Sequence, residues 1–156
     1  MNEVIKAMKE RRSIRKFKAE MPPKADLEQI VEAGLYAANG RGRQAVITIA
    51  VTDKELRDKL SEVNNEIMGG PEGNDPFYGA PAILIVLANK EVPTAPYDGS
   101  LVMGNLMFEM SEYQKLLKDL GIEGEWEGIG HCAVGYIDGE NPAAAPRNDG
   151  RVFWVE

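Results

Sequence analysis

The order of helical and extended patterns predicts an α+β fold, with helices packed on a central mixed sheet. Two stretches carry most of that expectation. Ala82-Ile83-Leu84-Ile85-Val86-Leu87-Ala88 is apolar without alternation, so both of its faces must be buried, as in a central strand covered by helices on both sides. Residues 24–38 instead repeat Leu27, Ile30, Val31, Gly34, Leu35 and Ala38 at the three-four spacing of one helical stripe. With 156 residues, 44% of them apolar and 28% charged, the chain is expected to form a single domain, residues 1–156, around a substantial core.

Taken in order, the elements read α, α, β, α, β, α, α, β, β. Asn2 can cap a first helix running to about Arg12, with Val4, Ile5 and Met8 on its inner face. Phe17 begins an extended segment that Met21-Pro22-Pro23 ends. The second helix stops at Asn39-Gly40, both tolerant of a left-handed cap. Residues 46–51 are β-branched enough to read as a strand. Thr52 and Glu55 look like a capping box for a third helix that carries Leu56, Leu60, Val63 and Ile67 inward. Residues 68–76, rich in Gly and Pro, predict a flexible loop. After the apolar strand, Asp98 is expected to cap a helix from Gly99 that carries Leu101, Val102 and Leu106. Ser111 and Gln114 suggest a further helix to Leu120. Residues 130–136 and 152–155 complete the list as strands, with a turn at Asp138-Gly139.

Charge is distributed unevenly along this chain. Its net charge is −7, yet the segment through Lys18 carries +5, which leaves −12 for the remainder. The cations concentrate in Arg11-Arg12-Ser13-Ile14-Arg15-Lys16-Phe17. Such a cluster in an acidic protein points to a local anion rather than to nucleic acid or a membrane surface. Guanidinium forks suit a phosphate, and a hydroxyl adds one more hydrogen bond. The bland alternative is that these residues only complement the negative end of the first helix. Either way the phosphate would lie at the wrong end of that helix for its dipole to assist, so side chains must supply the charge.

No glycine-rich phosphate loop, metal-ligand set or Ser/His/Asp arrangement is legible. The one His and one Cys are neighbours, His131-Cys132, expected on opposite faces of a strand. An enzyme with so few reactive side chains relies on a cofactor for its chemistry, and no catalytic side chain is assigned. The single Cys excludes an internal disulfide and suits a reducing cytoplasm. Met-Asn-Glu-Val offers no apolar signal core, and the longest apolar run, residues 80–88, is too short to span a bilayer.

Arg11-Arg12-Ser13-Ile14-Arg15-Lys16-Phe17, followed by Pro and Asp26-Leu27-Glu28-Gln29-Ile30, resembles the opening of nitroreductase-like FMN-dependent oxidoreductases. The likeness continues through residues 37–44 and the following strand, Asp75-Pro76-Phe77-Tyr78-Gly79-Ala80-Pro81, and Asp98-Gly99-Ser100-Leu101. It resumes at residues 128–135 and Ala145-Pro146-Arg147. The resemblance implies an α/β/α sandwich around a mixed, mainly antiparallel sheet, and a homodimer with FMN at the subunit interface. It assigns Arg11, Arg12, Ser13 and Arg15 to the phosphate and ribityl chain. It sets Arg43 and Gln44 beside the flavin ring and brings Arg147 to the phosphate from the C-terminal arm.

The chain departs from the family at Gly42, at Ala45-Val46, and most of all after Met107, where a segment that usually supplies donors beside the flavin is shortened. Two functions follow from the resemblance. The first is an NAD(P)H-dependent FMN oxidoreductase that reduces nitroaromatic or quinone-like small molecules in the cytoplasm. The second is a flavin-binding or regulatory protein of the same fold with little turnover.

Overall fold

A computed structural model describes residues 2–103, 120–144 and 146. Among the described residues its sheet has three strands in the order β1-β2-β3: β1 Val46–Val51, β2 Ala82–Asn89 and β3 Trp126–Val134. Both pairings are antiparallel, with Val51 opposite Ile83 and Ile83 opposite Ala133. The apolar run is therefore the middle strand, as its composition requires, and residues 82–88 are all buried. The strand expected at residues 152–155 and the helix expected at residues 111–120 fall largely or wholly outside the described residues, as does Leu106.

Helices α1 Glu3–Glu10 and α2 Lys24–Leu35 precede the sheet, α3 Lys54–Ile67 joins β1 to β2, and α4 Ala95–Val102 follows β2. Ile83, Ile85 and Leu87 form one core cluster with Val51 and Phe77, and Leu56, Leu60 and Val63 of α3 pack against it. The opposite face carries a smaller cluster, Ala45, Ala88 and Ala95, on which Val92 and Ile129 pack. Here α4 lies against all three strands. Alanines at this contact let the helix approach closely. Gly99 goes further, since a Cβ there would stand 2.6 Å from Ile129 Cγ1. Ile129 is the extra residue of a bulge: Gly128 pairs with Leu87 and Gly130 with Val86, and the register shifts between them. Among the described residues no helix is long and apolar enough to cross a membrane.

Several boundaries differ from the sequence expectation, each for a local reason. α1 keeps its Asn2 cap, whose Oδ1 accepts the Val4 amide at 2.8 Å, but ends at Glu10 because Arg11 turns extended at ψ 136. α2 ends at Leu35, where an Ala37 N–H to Gly34 carbonyl bond of 3.1 Å tightens the last turn and leaves Asn39-Gly40 to a separate 3-10 turn. Asp53, not Thr52, caps α3. β1 runs to Val51, and the extended residue directly before the helix is Asp53, which accepts the Leu56 amide at 2.8 Å. α4 starts at Ala95, with Pro at the N-terminal turn where its missing N–H is harmless, so Asp98 lies inside the helix rather than capping it. β3 spans residues 126–134 rather than 130–136.

The apolar stripes are less buried than their spacing predicts. α1 buries none of its residues, and Val4, Ile5 and Met8 are exposed. On α2 only Leu27 is buried, with Ile30 and Leu35 exposed, and Ile67 projects from the end of α3. Among the described residues, these apolar side chains stay largely exposed.

The loop between α3 and β2 is fastened rather than loose. The Asp75 carboxylate accepts Ser61 Oγ at 2.6 Å, the Phe77 amide at 2.9 Å and the Gly79 amide at 2.7 Å, and is paired with Arg57 Nη2. Arg57 Nε in turn donates to the Ala80 carbonyl at 2.9 Å, and its guanidinium stands 5.6 Å from the centre of the Phe77 ring. Asn65 holds the earlier half by donating to the Pro71 carbonyl at 2.8 Å and accepting from Asn74 at 2.8 Å.

Burial works to raise the Asp75 pKa, but hydrogen bonds from Arg57, Ser61 and the Gly79 and Phe77 amides outweigh it and hold the carboxyl below the usual 3.8. Its contribution to stability is therefore complete above that value and lost as pH falls through the lower folded value. Asp75→Ala is expected to cost roughly 2–3 kcal/mol in urea unfolding at neutral pH, since it strands a buried guanidinium. The gap between wild type and variant should narrow on acidification below 3.8. A gap independent of pH would show that the ionised carboxylate is not the source.

Candidate functional site

The basic segment leaves α1 and is gripped further on. Phe17 pairs with Ile137 in an antiparallel bridge. The Phe17 amide donates to the Tyr78 carbonyl at 3.2 Å, Lys18 to Tyr136 at 2.8 Å, and Asp138 to Lys16 at 3.1 Å. Gly135 allows this approach, for a Cβ there would come within 2.7 Å of Pro81 Cδ and 3.2 Å of Phe17 Cδ1. Tyr78 carries the contact with φ 56, a left-handed conformation that the Asp75 hydrogen bonds around it enforce.

The arginines on this segment divide into two kinds. Arg12 is half-buried and committed to the chain: Nη1 donates to the Lys9 carbonyl at 2.6 Å and to that of Arg11 at 2.7 Å, while Nε reaches the Pro142 carbonyl at 3.1 Å. It satisfies carbonyls at and beyond the end of α1, which is the helix-terminal role. Arg11, Ser13 and Arg15 are exposed, and no hydrogen bond or ion pair among the described residues engages their side chains. Lys16 pairs with Asp138 at 2.6 Å. The donors available to an anion here are thus Arg11, Ser13 and Arg15.

Arg43 and Gln44 belong to a tight turn between α2 and β1. Gly40–Gly42 forms one 3-10 turn in which Arg41 has φ 58, and Gly42 and Gln44 follow at φ 68 and 48. A left-handed backbone costs roughly 1–2 kcal/mol at each non-glycine, so this shape persists only because its surroundings impose it. The Asn39 side chain accepts the Gln44 amide at 3.2 Å, and the Arg43 amide bonds the Gly40 carbonyl at 3.3 Å. Downstream, Ala45 is buried and its carbonyl accepts the Asn89 amide at 2.9 Å. Upstream, the Gly40 amide donates to Asp98 Oδ1 at 2.9 Å. The Arg43 and Gln44 side chains are exposed.

Arg11, Arg12, Ser13 and Arg15 therefore lie on one anchored stretch, and Arg43 and Gln44 on another. Among the described residues no hydrogen bond or ion pair joins the two. Arg147 lies outside the described residues. Sequence reasoning missed the commitment of Arg12, the left-handed turn, and the part played by Asp98. A signal for the last existed: Ala95, Asp98 and Val102 share one face of α4 at three-four spacing, so a carboxylate stands in an apolar stripe and requires a donor.

His131 and Cys132 are strand residues on opposite faces, paired with Ile85 and Leu84 respectively. Burial pushes the His131 pKa down to about 4 and the Cys132 thiol up to about 11, so both are neutral near pH 7. His131 packs its edge on Phe77, ring centres 5.2 Å apart. A concavity of about 740 Å³ lies between α3 and the loop before Asp75, with Glu62, Glu66 and Glu72 in its lining. Its charge is the wrong sign for a phosphate.

The model of the nitroreductase family matches residues 8–100. The chain is 43% identical over 63 residues to an FMN reductase (NAD(P)H) of Bacillus subtilis. It is 36% identical over 63 residues to an NADPH-dependent oxidoreductase of Staphylococcus saprophyticus. Each match takes in 40% of this chain and 25% of the relative, so the chain spans about a quarter of the length of the curated relatives it matches. Among solved structures, a nitroreductase with bound FMN from Bacteroides fragilis is similar along 100% of both chains, with a TM-score of 0.86 at 24% identity. That likeness is one of fold.

The two kinds of arginine should separate by mutation. Arg12→Ala should lower stability by roughly 1–2 kcal/mol through the lost carbonyl contacts, whereas Arg15→Ala should stay within about 0.5 kcal/mol of wild type. Equal losses in thermal unfolding would mean that Arg15 also serves the fold.

Proposed function

Because the chain belongs to the nitroreductase family, we propose that it binds FMN and acts as an NAD(P)H-dependent oxidoreductase on nitroaromatic or quinone-like small molecules. One observation carries the proposal: Arg11, Ser13 and Arg15 form an exposed, uncommitted donor set on a backbone pinned at Phe17. Two guanidiniums and a hydroxyl match the charge and the acceptor oxygens of a phosphate monoester. Arg12 shapes this set by holding the end of α1, and Arg147 joins it in the sequence-based assignment. Arg43 and Gln44 present donors from a rigid turn to the ring. FMN, when bound, supplies the redox chemistry by accepting a hydride from NAD(P)H and passing electrons to the acceptor. The chain's own residues bind and orient it. His131 and Cys132 are buried and neutral, so neither is assigned a proton transfer.

We also propose a homodimer. Val4, Ile5 and Met8 on α1, Ile30 and Leu35 on α2, and Tyr97 and Leu101 on α4 are exposed apolar side chains that a second copy would cover. A cytoplasmic location fits this reading, since NAD(P)H and a reduced Cys132 belong to that compartment.

A second reading is favoured by one observation. The family match ends at residue 100, before the stretch after Met107 that the sequence resemblance reads as shortened. A protein lacking donors beside the ring would hold FMN yet turn over slowly, because phosphate contacts contribute uniform binding and do not lower the barrier.

Three measurements test these statements. Arg15→Ala should weaken FMN by about tenfold or more, while riboflavin, which lacks the phosphate, binds weakly and is unaffected by the change. Equal losses for the two ligands would make the cluster structural. Loss of the flavin absorbance on adding NADH supports the oxidoreductase, and an unchanged spectrum supports the binding protein. Sedimentation of the FMN-loaded protein should give a dimer at micromolar concentration, and a monomer would remove that part of the proposal.

A further inference from the structure

We propose that Asp98 is a positioning residue that holds the turn formed by residues 40–44 in the one shape that presents Arg43 and Gln44 to the flavin ring. The proposal rests on the reading of this protein as an FMN binder and goes on to say what shapes the ring side of the site.

Asp98 is 4% exposed, in the first turn of α4, on the face turned toward the cluster of small apolar residues. Burying a carboxylate there is costly unless donors meet it, and an apolar side chain would have served the packing alone. The donors are few and specific. Oδ1 accepts the Gly40 amide at 2.9 Å, and Oδ2 accepts Thr94 Oγ1 at 3.3 Å. Thr94 is the residue before α4, and its hydroxyl donates to Asp98 rather than accepting a helix-capping bond. The carboxylate thus links α4 to one amide 58 residues away, the first of the 3-10 turn.

The placement of that bond matters because of what lies beyond it. Downstream the turn runs into the sheet through buried Ala45. Upstream it follows the end of α2, where Leu35 and Tyr36 are exposed and offer no comparable anchor. Between these ends Arg41 and Gln44 hold left-handed backbone that each would leave if released. Release on the upstream side would rotate the peptide planes of residues 41–44 and with them the directions of Arg43 and Gln44. Gly40 completes the clamp, since a Cβ there would stand 2.5 Å from Thr94 Oγ1.

The test compares FMN and riboflavin dissociation constants for four proteins: wild type, Asp98→Ala, Asp98→Asn and Gly40→Ala. Asp98→Ala should weaken both flavins by the same factor, about tenfold, because both carry the ring and the phosphate contacts are untouched. Asp98→Asn, whose amide oxygen still accepts from Gly40, should recover most of that loss. Gly40→Ala should reproduce the parallel loss with the carboxylate intact, and it decides the matter if Asp98→Ala does not fold. Gln44→Ala should weaken wild type but add little on top of Asp98→Ala, the non-additivity of two residues acting through one geometry.

A merely structural Asp98 would lower the melting temperature, leave both affinities of the folded protein unchanged, and let Gln44→Ala act in full. That result overturns the proposal while the FMN reading stands. Wild-type protein that binds neither flavin overturns the FMN reading and this role together.

Discussion

The pair of buried Arg57 and half-buried Asp75 is the constraint on which most of the remaining geometry depends. One carboxylate gathers a guanidinium, a hydroxyl and two backbone amides, and the guanidinium passes on to the Ala80 carbonyl and the Phe77 ring. The chain is thereby bent onto β2 with Tyr78 in a left-handed conformation whose carbonyl faces Phe17. The basic segment is located by that carbonyl and by residues 136–138. An ion pair between α3 and the loop that follows it thus helps determine where the arginines of residues 11–15 stand. Such pairs add less to stability than their Coulomb attraction suggests, because desolvation opposes them. What this one supplies is direction: five donors of a planar group and the acceptors of a carboxylate fit together in few ways.

The site divides its labour in the same manner on both sides. On the basic segment Arg12 is spent on carbonyls, and the side chains of Arg11, Ser13 and Arg15 are left exposed and unengaged among the described residues. At the turn of residues 40–44, Asp98 and Asn39 are spent on backbone amides and Thr94 on the Asp98 carboxylate, while Arg43 and Gln44 are left exposed. In each case polar groups that face inward fix the backbone, and those that face outward remain for a ligand. Preorganisation of this kind reduces the conformational entropy lost on binding.

What the sequence revealed and what it concealed follow from the range of the interactions involved. The middle strand was legible because seven consecutive apolar residues can be satisfied only between two layers. The basic cluster was legible because charge is visible without coordinates. Helix ends were less so: Asp53 displaced Thr52 as a cap by one residue, and α2 stopped short of Asn39-Gly40, both decided by where neighbouring elements end. Asp98 was misread as a cap because its partner lies 58 residues away. The burial of amphipathic stripes was over-read, since periodicity shows which face avoids water but not what covers it. Val4, Ile5 and Met8 are the clearest instance.

That uncovered first helix has a consequence for how the molecule holds together. An isolated helix of eight residues is too short to be stable in water, because nucleation costs more than two turns of hydrogen bonds return. α1 buries nothing of its own, so its helicity draws on its cap, on Arg12 at its far end, and on any surface that covers Val4, Ile5 and Met8. Whatever binds that face stabilises the helix by mass action, to an extent that rises with the concentration of the binder. Arg11 stands at the end of the same helix, so its position is thermodynamically linked to that coverage.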